Sequence, residues 1–97
     1  MALVIEGETQ VMRLTLGALA ELEATLREPS LVALVERFEE GRFSSADVLA
    51  LLRAGLRGGG ATFDPDAVDH AEIEGGPMAA ARAAAELIAR AFVAPGA

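Results

Sequence analysis

The sequence of 97 residues contains no cysteine, no lysine, no tryptophan and no tyrosine, and it holds a single histidine. Without cysteine there is no disulfide, no thiolate nucleophile and no cysteine-based zinc site. Only four phenylalanines supply aromatic bulk, so leucine, valine and isoleucine must build most of the core. All eight basic residues are arginine, set against 15 acidic residues, for a net charge of −7. Phosphate contacts need clustered cations, so nucleic acid is excluded as a partner class. Arginine, alanine and glycine in quantity without lysine are the coding bias of a GC-rich bacterial genome.

Long uninterrupted apolar runs are missing as well. Glu6 and Glu8 interrupt the N-terminal one, and no basic segment precedes it, so no secretion signal is expected. The stretch Met78 to Val93 carries Arg82, Glu86 and Arg90 at every fourth position. That spacing places the three charges on one helix stripe and argues against a membrane span. A cytoplasmic protein with no membrane partner is the expectation.

What is present fits one domain, residues 1–97, of a mainly helical α+β class. A chain this short buries only roughly 60–70% of its unfolded surface. Residues 2–14 read as an N-terminal β-hairpin: two β-prone runs flank Gly7-Glu8, with glycine first as a type II′ turn prefers. In that register Ile5 faces Gln10, Val4 faces Val11 and Leu3 faces Met12. Leu3, Ile5, Met12 and Leu14 share the face that rests on helices, and Val4 and Val11 pair on the other. A two-stranded hairpin leaves both edges open to another chain.

Four to five short helices fill about residues 15–93. Thr15 caps the first, which runs to about Arg27 with Leu16, Leu19, Leu22 and Leu26 at helical spacing. Pro29 breaks it, and Ser30 caps a second helix with an apolar face of Leu31, Leu34, Val35 and Phe38 that ends at Gly41. Ser44 or Ser45 starts a third helix, with Asp47 in its first turn. Its wide apolar arc (Val48, Leu49, Leu51, Leu52, Leu56) places it centrally. Gly58-Gly59-Gly60 ends it as the most flexible internal link. Asp64-Pro65-Asp66 starts a short helix, about Pro65 to Glu72. After Gly75-Gly76-Pro77, a last helix from Met78 to about Val93 carries an inner seam of Met78, Ala81, Ala85, Ile88 and Phe92. Ala80, Ala84 and Ala91 would allow close approach by another helix.

No constellation for catalysis, cofactor or metal emerges. His70 has Asp66 four residues before and Glu74 four after, which on an α-helix would share a face. Two carboxylates and one imidazole are a weak site, and a solvated acidic face explains them better. Arg57 with three glycines lacks the preceding strand and following Lys-Ser/Thr helix of a phosphate loop. The pairs Glu39-Glu40 and Glu21-Glu23 sit on polar helix faces, and Ser44-Ser45 is explained by capping without a nearby base. What remains unexplained is apolar. Val4 and Val11 on the hairpin, and Met78, Ala81, Ala85, Ile88 and Phe92 on the last helix, are therefore the candidate partner-binding residues. An oligomer formed through a hairpin edge or the last helix is one way to use them.

Three stretches carry a family resemblance: Met12-Arg13-Leu14-Thr15-Leu16-Gly17-Ala18-Leu19-Ala20-Glu21-Leu22-Glu23, then Leu31 through Phe38 with Gly41-Arg42-Phe43-Ser44, then Val48 through Gly60. They resemble the tail-assembly protein family of gene transfer agents and related phages, over nearly the whole chain. The resemblance implies a non-catalytic protein of tail morphogenesis without a cofactor. Its leading form is a tail-assembly chaperone that binds the tape-measure protein in the bacterial cytoplasm. The alternative is a structural, tube-associated component that stays in the virion tail. From outside the resemblance, a small regulatory protein-binding module is the remaining reading.

Overall fold

A computed structural model describes residues 2–27, 31–60 and 64–91, with the side chain of Leu31 also outside the description. Strands β1 (Ala2–Ile5) and β2 (Glu8–Val11) form the antiparallel hairpin. The turn is Glu6-Gly7, and both residues have positive φ, 53° and 78°. That pair of left-handed residues makes a type I′ turn, whose twist matches the strands. Pairing therefore differs from the expected register: Ile5 faces Glu8, Val4 faces Thr9, Leu3 faces Gln10 and Ala2 faces Val11. A shift of two residues equals one side-chain period, so no side chain changes face. Leu3, Ile5 and Met12 are buried as expected, with Gln10 among them, and Leu14 is half-buried. The direct Val4–Val11 pair is not made.

The sequence reading also missed that β1 has a second neighbour. Ile5 bridges Ile73, the Glu6 N–H donates to the Glu72 carbonyl at 2.8 Å, and the Glu74 N–H donates to the Val4 carbonyl at 3.1 Å. The hairpin thus has one occupied edge, not two open ones. A three-residue segment between glycines and acids is too short to announce itself as a strand.

Helices α1 (Leu16–Leu26), α2 (Leu31–Glu39), α3 (Ser45–Gly58) and α4 (Gly76–Ala91), with a 3-10 helix at Pro65–His70, make the rest. Local chemistry sets their ends. The Thr15 hydroxyl accepts from the Ala18 N–H at 3.1 Å, and Arg27 closes α1 in the left-handed region. At the end of α2, Gly41 (φ 73°) donates to the Phe38 carbonyl and Arg42 donates to the Arg37 carbonyl. Those two bonds are a Schellman motif, which needs a left-handed residue at the glycine. Ser44 and Asp47 form a reciprocal capping box on α3, at 3.2 and 2.9 Å. The proposed cap at Ser30 lies outside the described residues.

Helix α3 is central, as its apolar arc predicts: it packs on α1, α4 and the 3-10 helix, and Leu51, Leu52 and Leu56 are fully buried. Its carboxy end lies beneath the chain leaving β2, where the Arg13 N–H donates to the Gly55 carbonyl at 2.9 Å. Side chains added at Gly58 and Gly59 would overlap the carbonyl oxygens of Arg13 and Val11. The expected flexible link is instead a close backbone crossing that only glycine permits.

Two helix faces differ from the pattern reading. Leu16 is 80% exposed, because the buried arc of α1 is Ala18, Leu19 and Leu22 with Leu26 at its edge. Leu16 lies about 100° around the helix from that arc. On α4 the buried face is Ala80, Ala83, Ala84, Leu87 and Ile88, rotated by about 100° from the expected seam. Alanines on every side of α4 leave the hydrophobic period without a direction. The choice is made by Leu87, which fits over the bare Gly55, where a Cβ would stand 2.9 Å from its Cδ1.

Candidate protein-interaction surface

Each group considered for chemistry is placed by the fold in a structural role or on the surface. His70 ends the 3-10 helix and is exposed. Three residues per turn put Asp66 and His70 on different faces, and Glu74 lies beyond the helix, so the face expected of an α-helix is not assembled. Among the described residues no three His, Asp or Glu side chains gather as a metal site requires. Arg57 pairs with Glu21 and reaches Asp66 at 3.7 Å. Arg53 pairs with Asp69, and Arg42 pairs with Glu40 at 2.7 Å. The Ser44 hydroxyl is taken by the capping box.

Among the described residues the most enclosed charge is Asp47, whose side chain is 6% exposed. Its Oδ2 accepts from Arg37 Nη2 at 2.6 Å and from the Ser44 N–H, so one carboxylate joins the end of α2 to the start of α3. Beside it, Phe38 and Phe43 stack with centroids 4.8 Å apart and planes within 7°. Stacking of this kind ties residues on the two sides of the α2–α3 corner together, adding about 0.5–1.5 kcal/mol beyond burial.

The candidate partner-binding residues differ in exposure. Val4 is half-buried and Val11 is 52% exposed on the outer hairpin face. Met78 is 66% exposed, and Ala81 and Ala85 are half-buried. Ile88 is fully committed to the protein's own core, packed in the same cluster as Leu22 and Leu51. Phe92 lies outside the described residues.

The feature that sequence reasoning missed is a groove of about 390 Å³. One wall is the start of α3, with Val48, Leu49 and Leu52; another is the 3-10 helix and its exit, with Val68, Ala71 and Ile73. The first turns of α4, from Gly76 to Ala81, form the third side. Of these, Leu49, Ala71, Ile73 and Ala81 are only half-buried, so apolar side chains line a surface that reaches solvent. A sign of it was present in the sequence. The apolar arc of α3 is wider than its neighbours cover, and Leu49 lies at its edge.

Among the described residues no helix is long and apolar enough to cross a membrane. Compared with known protein families, residues 1–94 match the model described as phage tail tube protein, GTA-gp10. No curated protein and no solved structure matches the chain.

Proposed function

The chain belongs to the phage tail tube protein, GTA-gp10 family, and from that premise we propose that it is a structural, non-catalytic component of a phage or gene transfer agent tail. It works by contact with other tail proteins. The observation that carries this reading is the family match across residues 1–94, since the family's description names the tail tube itself. The chemistry of the surface supports it. Arg42, Arg53 and Arg57 are held by the protein's own carboxylates, and the groove beside α3 is apolar. Apolar surface that reaches solvent in this way is suited to being covered by a partner. On this reading the protein resides in the finished tail.

A second reading has its own support. An assembly chaperone that holds the tape-measure protein, and leaves before the particle is complete, would need an apolar groove and a soluble acidic body. The groove and the charge of −7 both suit that task. Such a protein would reside in the host cytoplasm.

Mass spectrometry of purified particles decides between the two. The structural reading expects this chain at a stoichiometry comparable with other tail proteins. Its absence from particles, together with co-purification with the tape-measure protein from lysates, would favour the chaperone.

A further inference from the structure

We propose that the groove between α3, the 3-10 helix and the start of α4 binds an amphipathic helix whose apolar stripe is flanked by lysine or arginine. The proposal rests on the reading that the chain works through contacts with other proteins. It concerns where and what it binds, and holds for either reading of its place in the tail.

The inside of the groove selects for an apolar ligand. Two of its three polar side chains are already engaged, the Ser44 hydroxyl accepting from the Asp47 N–H and Asp69 pairing with Arg53, and the third, Ser45, is exposed at the rim. A small polar molecule would find few free donors or acceptors to fix its orientation. An apolar helix face needs none, and half-buried Leu49, Ile73 and Ala81 offer it the row of contacts that helix-in-groove recognition uses.

Charge selects the flanks. The wall from Asp64 to Glu74 contributes Val68, Ala71 and Ile73 to the groove, and between and around them stand Asp64, Asp66, Asp69, Glu72 and Glu74 with no Lys or Arg. Two of those five carboxylates meet Arg53 and Arg57. Glu72 and Glu74, on either side of Ile73, are exposed. A ligand helix lying against this wall meets negative potential along one flank, which favours cations and repels carboxylates. The same field disfavours a second copy of this chain, since each copy carries −7.

The test uses the full chain, labelled for amide NMR, and two synthetic amphipathic helices of about 18 residues, roughly five turns. Both carry the same leucine stripe, one flanked by lysine and one by glutamate. The proposal expects saturable shifts at Val48, Leu52, Ile73 and Ala80 with the lysine peptide, and binding at least about 5-fold weaker with the glutamate peptide, the effect of one or two such charge contacts. Glu72→Lys with Glu74→Lys, both at exposed positions, should remove that preference. Ala81→Phe should weaken both peptides by filling the groove. Equal affinity for the two peptides overturns the proposal, as does the absence of saturable shifts. Shifts elsewhere that neither variant changes overturn it too, and so do groove shifts that follow protein concentration without peptide. Particle composition plays no part in this readout, so the proposal can fail while the tail assignment stands.

Discussion

Gly59 and Val11 meet backbone to backbone: a Cβ at Gly59 would stand 2.8 Å from the Val11 carbonyl carbon. Overpacking at such a crossing forces main-chain movement. Gly59→Ala should therefore cost about 2–3 kcal/mol in urea denaturation. Gly60 has a φ of 68° but open space around it. Gly60→Ala should cost only the left-handed backbone term, about 1–2 kcal/mol. Equal costs at the two positions would show that the close crossing is not what glycine supplies.

Asp47 serves both a helix cap and an ion pair, whereas Ser44 serves the cap alone. Ser44→Ala should cost about 1 kcal/mol. Asp47→Ala should cost more, about 2–4 kcal/mol, because it also strips Arg37 of a nearly buried partner. Chemical denaturation of both variants and the double variant measures this. The double variant should fall short of the sum, since the two residues complete one box.

Leucines on α1 should separate sharply by position. Leu22 is 1% exposed and Leu16 is 80% exposed. Leu22→Ala should cost about 2–5 kcal/mol through lost burial and a residual cavity. Leu16→Ala should stay within about 0.5 kcal/mol of the parent. Thermal melts rank them, and a large loss at Leu16 would contradict its placement.

Hydrogen exchange reads the isolated bridge between Ile5 and Ile73. The amides of Glu6 and Glu74 donate across to Glu72 and Val4, so they should exchange slowly although both residues lie at the surface. Glu74→Pro removes one of these donors, and it should speed exchange at Glu6 while leaving the α3 amides protected.

Much of this fold was legible in the sequence because helix ends are decided locally. Thr15, Gly41, Ser44 and Asp64 each act on residues within a turn of themselves, so pattern and partner sit side by side. The hairpin's buried face was legible too, since a two-residue slip leaves Leu3, Ile5 and Met12 where they were. Its turn was not, because Glu6-Gly7 and Gly7-Glu8 both offer glycine to a primed turn. The orientation of α4 depends on Gly55 and Leu87, 32 positions apart in the chain. No local period encodes a contact at that distance. The groove was hidden for the same reason: three segments line it, and none is unusual alone.

The Glu72–Glu74 strip has a consequence for assembly. Among the described residues nothing pairs with the outer side of β2, while that of β1 is taken. A sheet that accepts a newcomer on one flank alone cannot propagate copy upon copy. On the β2 side the Gly59 backbone already lies against the Val11 carbonyl, which crowds that flank as well. With the β1 flank taken, strand addition on that side is blocked, which guards the hairpin against fibre formation by that route.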